Sequence, residues 1–335
     1  MHERDLHYLV CPECHGDLEI RSATERRGDV LVTAALGCTG CGASYPVVRS
    51  IPRFVPVENY AANFGLEWNI HDRTQYDSNN GRSISATRFF EETRWPHDLS
   101  GHVILEVGSG SGRFTEPAAS TGAFIVSMDY SSAVEANYRS NGARENVLIV
   151  QGTIYKMPFR PASFDKVFCF GVLQHTPDVR ASFMALPPML KEGGLLTVDV
   201  YKKTFFATVL ATKYYVRRVT RHIEPHTLYR LTKMWVNLLW PFARKLSKIP
   251  YIGPSLSWRL LIPDYSHLGL NETQLKEWAY LDIFDMLSPR YDSPQTQTTL
   301  RRWFAEAMMT EVEVAYGYNG IEGRGKRGIH VSITT

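Results

Sequence analysis

Short apolar runs recur along residues 100–200, at 103–107, 123–128, 147–151, 164–170 and 195–200. The first suits a strand covered on both faces, and the others read as further strands in order. Residues 114–120 read as the helix after the first strand, and 88–93 and 295–309 also read as helical. Residues 229–240 carry apolar positions at mixed three- and four-residue spacing, a helical period. Residues 311–316 and 328–334 read as two closing strands joined by a glycine-rich loop.

The first strand runs directly into Val103-Ile-Leu-Glu-Val-Gly-Ser-Gly-Ser-Gly-Arg113. Gly108, Gly110 and Gly112 permit positive φ and close approach of backbone to a ligand. A dinucleotide-binding turn would place its third glycine where Arg113 stands, and it needs no acid at Glu106. The second strand ends at Asp129, where a carboxylate would meet ribose hydroxyls.

The pattern Glu-x-Gly-x-Gly-x-Gly with an acidic end to the next strand resembles the class I S-adenosylmethionine-dependent methyltransferases. Residues 147–153, 164–175 and 190–200 extend the resemblance as strands three, four and five with their turns. It implies an α/β Rossmann-like sheet with an antiparallel last strand, and S-adenosylmethionine held by Glu106, Gly108, Gly110, Gly112, Arg113, Asp129, Tyr130, Phe170 and Gly171. Thr153 stands where many members carry Asp, so a hydroxyl or backbone groups of Thr153 and Ile154 would meet the adenine amino group instead. No Asn-Pro-Pro-aromatic sequence follows strand four, which argues against amino-group methylation of adenine or glutamine.

Ligands of open α/β sheets bind beyond the carboxyl ends of the strands. His175 is therefore the candidate general base, since imidazole titrates near neutral pH. The alternative is a histidine that bonds the Thr176-Pro-Asp178 turn. Tyr201, Arg290 and Tyr291 are candidate acceptor contacts. Asp282 and Asp285 read as helix-capping or ion-paired residues.

Cysteine adds a second chemistry. Cys11-x-x-Cys14 and Cys38-x-x-Cys41, with 23 residues between the pairs, match the two knuckles of a four-thiolate zinc ribbon, a closed and therefore structural site. The following Cys41-Gly-Ala-Ser-Tyr-Pro-Val-Val and Ile51-Pro-Arg-Phe54 resemble small zinc proteins of the Trm112 type, which activate methyltransferases, here fused to an enzyme. Cys169 reads as a core residue. Residues 57 to about 94 read either as a lid over the cofactor or as a linker packed on the ribbon.

Composition then sets bounds. The 335 residues are 44% hydrophobic and 12% aromatic, ample for two or three units. No signal-like leader or long uncharged apolar run is evident, so a cytoplasmic protein is expected. Net charge is only +3, but residues 201–260 hold twelve Lys or Arg against the single acid Glu224, giving +11 there and −8 elsewhere. Eleven aromatic residues are interleaved with those bases.

The expected organisation is a ribbon at 1–57, a methyltransferase core with its lid at 58–200, a basic helical cap at 201–294 inserted between strands five and six, and the end of the core at 295–335. The cap could be a solvated face, or could grip an anionic acceptor, an anionic membrane surface or RNA. The expected activity is O-methylation of a small molecule, an anionic sugar or a lipid-linked or secondary metabolite. An RNA methyltransferase and a non-catalytic scaffold that activates a partner are the alternatives.

Overall fold

The computed structural model of the chain describes residues 1–56, 59–204 and 211–329. Four strands come first: β1 (Leu18–Arg27), β2 (Val30–Cys38), β3 (Ser44–Val48) and β4 (Ile51–Pro52), antiparallel and in that order. Three helices, α1 (Ala62–Ile70), α2 (Asp77–Asn80) and α3 (Ile84–Thr93), lead to the larger sheet. There β5 (Val103–Val107), α4 (Thr115–Ser120), β6 (Phe124–Asp129), α5 (Val134–Asn141), β7 (Val147–Gln151), β8 (Phe164–Cys169), α6 (Val179–Met184) and β9 (Leu190–Val200) alternate. Next come α7 (Thr212–Thr220), α8 (Pro225–Leu246), α9 (Gly253–Arg259) and α10 (Glu272–Leu287), then α11 (Gln297–Glu306), β10 (Met309–Gly317) and β11 (Gly320–Arg327).

The seven-stranded sheet runs β10-β11-β9-β8-β5-β6-β7. β5 pairs in parallel with both β6 and β8, and β11 pairs antiparallel with β9 and β10. After β7 the chain therefore crosses to the other side of β5, and the crevice opens where β5 and β8 diverge, as expected of a doubly wound sheet. Every residue of β7 is buried, which explains its unbroken apolar run.

The closing strands correct the sequence reading. Among the described residues the last strand is the glycine-rich 320–327 expected to be a loop, and the strand expected at 328–334 falls on 330–334, which lie outside the described residues. Its glycines have a packing reason: a Cβ at Gly323 would meet Cε2 of Phe304, and one at Gly325 would lie 2.8 Å from Cδ1 of the same ring. Helix α11 sits that close to the strand only because those side chains are absent.

The small sheet is built into the core of the large one. One apolar cluster includes Leu31, Leu36 and Val47 of the small sheet together with Leu105, Val126, Phe159 and Phe164 of the large one. Backbone bonds join them, Val10 N to Pro158 O at 2.9 Å and Phe54 N to Gln151 O at 2.9 Å. Buried Arg53 reaches Gln151 Oε1 at 2.7 Å and also pairs with Glu135. The ribbon thus covers the outer edge of β7, which would otherwise present open backbone groups.

The cap has its own core. Leu228, Thr232, Val236, Trp240 and Ala243 recur on one side of α8 and are buried, and Leu228, Val236 and Trp240 join Ile283 and Phe284 of α10 in one cluster. Leu66 of α1 and Ile84 of α3 pack against that cluster. The segment before β5 therefore shares apolar contacts with the helices of residues 212–287, while its Phe89 and Trp95 fall in one cluster with Ile51 of the small sheet.

Candidate active site

Beyond the carboxyl ends of β5 and β8 lies a cavity of about 1190 Å³ walled by the glycine loop, the lid and the cap. The loop begins with Gly108 at φ 83° and Gly110 at φ 54°. Side chains are excluded at both: a Cβ on Gly108 would strike Val172, and one on Gly110 would lie 3.0 Å from Nε1 of Trp68. Trp68 and Phe64, both from α1, line the cavity opposite the loop. Gly112 lies deeper, against the Asn137 side chain.

Asp129 ends β6 and lines the cavity. Its Oδ2 accepts from Gly110 N at 2.8 Å, and its Oδ1 accepts from the backbone N–H and hydroxyl of Ser131, each at 2.7 Å. Burial raises its pKa above the ordinary carboxylate value despite those donors. Glu106 is buried beneath the loop and does not reach the cavity wall. Thr115 and Ser127 donate hydroxyls to its Oε2, the latter at 2.7 Å. With no cation beside it, burial pushes its pKa up to about 7.

Two half-buried arginines line the cavity. Arg88 of α3 lies 2.5 Å from Glu92 and 2.5 Å from Asp199 Oδ2, so its charge is matched within the protein. Asp199, on β9, also accepts from Gly171 N at 2.5 Å and from Asn319 Nδ2 at 3.3 Å. Arg113 stacks over the Phe114 ring at 4.5 Å and donates to Gln75, but its Nε has no partner. Burial lowers its pKa to about 9. Ser109 Oγ is likewise buried without a partner on the same wall.

His175 is buried and lines the cavity. Its ring lies between Phe64 at 5.2 Å and Tyr201 at 5.3 Å. Nδ1 lies 3.0 Å from the carbonyl oxygen of Tyr291, so its partner is that carbonyl, not the Thr176-Pro-Asp178 turn. A carbonyl oxygen only accepts, so Nδ1 carries the proton and the neutral ring keeps its lone pair on Nε2.

Asp282 and Asp285 overturn their sequence assignment. They sit within α10, whose N-cap is Asn271, and they line the cavity. Neither caps a helix or forms an ion pair among the described residues. Tyr265 donates to Asp282, and Tyr201 donates to Asp285 at 3.2 Å. Burial, then the charge of Asp285, pushes Asp282 up to about 7. Behind them Glu67 of α1 is fully buried with both oxygens unpartnered, and burial drives its pKa well upward.

Of the other expected contacts, Tyr130, Phe170, Gly171 and Tyr201 line the cavity. Thr153 and Ile154 do not reach its wall; Ile154 is buried in the core cluster. Arg290 is exposed, with its guanidinium 5.8 Å from the Tyr291 ring centre. Tyr291 does not line the cavity; its carbonyl oxygen meets His175 and its ring lies 5.5 Å from that of Tyr60. Arg88, Asp199, Trp68 and Tyr265 were missed. A carboxylate closing strand five was the one available hint, since strand ends face the crevice.

The residues suit the group that the glycine loop implies. A cofactor carboxylate would give Arg113 and Ser109 the acceptors they lack, and Asp129 stands beside Gly110 where a ribose would lie. At the other end of the chain, the Sγ atoms of Cys11, Cys14, Cys38 and Cys41 all lie within 4.8 Å of one another, with Cys11 to Cys41 at 3.6 Å and Cys14 to Cys38 at 3.4 Å. Four sulfurs about 2.3 Å from one tetrahedral ion stand about 3.8 Å apart, so the cluster has the dimensions of a zinc site. Gly40 N and Cys41 N point at Cys38 Sγ at 3.3 and 3.4 Å, donors suited to a thiolate.

Comparison with known proteins agrees with this geometry. Residues 105–198 match the family described as a methyltransferase domain. A ubiquinone biosynthesis O-methyltransferase of Xylella fastidiosa is 31% identical over 125 residues, 36% of this chain and 51% of that protein. Its counterpart in Xanthomonas oryzae pv. oryzae is 31% identical over 130 residues, 37% of this chain and 54% of that one. The chain thus spans about half the length of the curated relatives it matches. A solved S-adenosylmethionine-dependent methyltransferase from Thermotoga maritima is 14% identical, with a TM-score of 0.41 over 80% of this chain and 98% of that one. Residues 105–198 thus match a methyltransferase domain, and their strand order, glycine loop and Asp129 accord with the class I S-adenosylmethionine-dependent type.

Proposed function

We propose that the protein transfers a methyl group from S-adenosylmethionine to a hydroxyl of a small acceptor held between the glycine loop and the cap. The observation that carries this reading is the 3.0 Å contact of His175 Nδ1 with the Tyr291 carbonyl, which would hold Nδ1–H and leave Nε2 as the basic nitrogen of a residue that lines the same cavity as Asp129 and Gly110. S-adenosylmethionine, when bound, supplies a methyl on a sulfonium, so the transfer is an in-line displacement. Asp129 would hold the ribose, Arg113 and Ser109 the carboxylate, and His175 would take the proton from the acceptor oxygen as that oxygen becomes nucleophilic. Phe64 and Tyr201 fix the ring plane of His175 and keep water from it.

The lining favours a lipid-linked or other hydroxyl-bearing acceptor over an anionic sugar. The cap wall beside His175 carries Asp282, Asp285 and their tyrosines, which would repel an anion and accept from hydroxyls. The names of the curated relatives, which are O-methyltransferases, accord with oxygen as the target. Cys11, Cys14, Cys38 and Cys41 would hold a structural zinc ion. In this reading the ribbon acts as a built-in, Trm112-like support for residues 152–158, which follow β7.

The test is calorimetric titration of S-adenosylhomocysteine into the zinc-loaded protein, followed by methyl incorporation into hydroxylated amphiphiles. Micromolar binding with methyl ether products supports the reading. Absence of binding to a folded, zinc-loaded protein ends it.

A further inference from the structure

Among the described residues, one apolar face of the cap has no partner. Leu231, Met234, Trp235, Leu238 and Phe242 fall on one stripe of α8, turned away from the buried Leu228, Val236 and Trp240. They are not marginal: Met234 is 67% exposed, Leu238 66% and Phe242 60%. The stripe continues on the next segment, where Tyr251 is 99% exposed and Ile252, Leu256 and Trp258 are also open. Trp235 Nε1 donates to Leu260 O at 2.9 Å, tying the two parts into one surface. A patch of this kind marks a docking site rather than ordinary surface.

Charge decides what docks. Arg230, Lys245, Lys248 and Arg259 are exposed around the stripe, and none of them makes an ion pair among the described residues. A helix face of large apolar and aromatic residues rimmed by unpaired bases has the amphiphilic character of an element lying in an anionic lipid interface. No helix among the described residues is long and apolar enough to cross a membrane. The cavity reaches the same face: Ser255, Trp258 and Arg259 of α9 line it, and Trp258 is also 41% exposed.

We infer that the α8–α9 face of the cap docks on an anionic bilayer surface, seating the cavity wall at α9 against the lipid so that an amphiphilic acceptor enters with its hydroxylated head toward Asp282, Asp285 and His175. The docking goes beyond the proposed reaction, and the route of the acceptor rests on it. The phenol–carboxylate pairs Tyr201–Asp285 and Tyr265–Asp282 form the polar end of that route, and Trp258 stands at its apolar end.

The experiment is co-sedimentation of the full zinc-loaded chain with vesicles of phosphatidylcholine alone or mixed with phosphatidylglycerol, beside Leu238→Glu/Phe242→Glu and Arg230→Glu/Lys245→Glu variants. Binding to the phosphatidylglycerol vesicles is expected, weakened by salt, and reduced about tenfold or more in each double variant. Titration of S-adenosylhomocysteine into the same samples separates the two ideas, because neither variant touches the cavity. Unchanged cofactor binding without vesicle binding overturns the docking and leaves the methyltransferase reading standing. Equal binding by wild type and variants also overturns it. So does a dimer in sedimentation equilibrium that Phe242→Glu dissociates, since a second copy then covers the face. RNA binding that survives Leu238→Glu/Phe242→Glu, with vesicles ignored, overturns it as well.

Discussion

Nδ1 of His175 lies 3.0 Å from the carbonyl oxygen of Tyr291, so a residue on the fourth-strand exit is oriented by backbone more than a hundred positions later, near the end of the cap. The bond fixes which nitrogen can accept a proton. If Nε2 is the base, His175→Gln lowers kcat by on the order of 10² to 10⁴ and leaves S-adenosylhomocysteine affinity within a few-fold of wild type. Steady-state kinetics beside calorimetry check this. Equal losses of affinity and rate would assign the ring a packing role.

Asp129 is both a loop anchor and the expected ribose contact. Removing its carboxylate strands the N–H groups of Gly110 and Ser131. Asp129→Ala is expected to weaken S-adenosylhomocysteine by roughly tenfold to a hundredfold, the range of a lost charged hydrogen bond. Asp129→Asn, which keeps one acceptor for Gly110, should retain the fold with an intermediate affinity.

Because Leu31 and Leu36 share one apolar cluster with Leu105 and Phe159, loss of the metal should not melt the ribbon alone. Mass spectrometry under native conditions is expected to find one zinc per chain. Cys14→Ser or chelation should remove it and lower the melting temperature of the whole protein in one transition, the metal's apparent contribution being on the order of 10 kcal/mol. Two separated transitions would show that the ribbon folds independently.

Glu106 sets a pH dependence of stability. Its folded pKa, pushed up to about 7 by burial, exceeds the ordinary 4.5, so the folded state binds the proton more tightly than the unfolded chain. That contribution is complete below about pH 4.5 and is lost as pH rises through about 7, at most about 3 kcal/mol for a group so buried. Asp282, also raised to about 7, acts in the same direction. The urea midpoint should therefore fall between pH 5 and pH 8, and Glu106→Gln should flatten the slope.

The sequence alone determined the local devices. Gly108 and Gly110 are specified by backbone conformation, Asp129 by its place at a strand end, and the cysteine pairs by their spacing, since each depends on neighbours a few residues away. The covered strands were readable for the same reason: burial on both faces demands apolar residues in succession. Only the tertiary structure decided what depends on distant partners. Glycines at 323 and 325 read as a loop until Phe304 of α11 is seen lying on them. Asp282 and Asp285 read as helix-end or ion-pair carboxylates until Tyr265 and Tyr201 are brought against them. The pairing of Arg88 with Asp199 spans 111 positions. The ribbon's merger with the enzyme core and the open stripe of α8 are likewise facts of packing. A periodic pattern marks which residues are apolar, but whether a face is covered is set by what the rest of the chain brings to it.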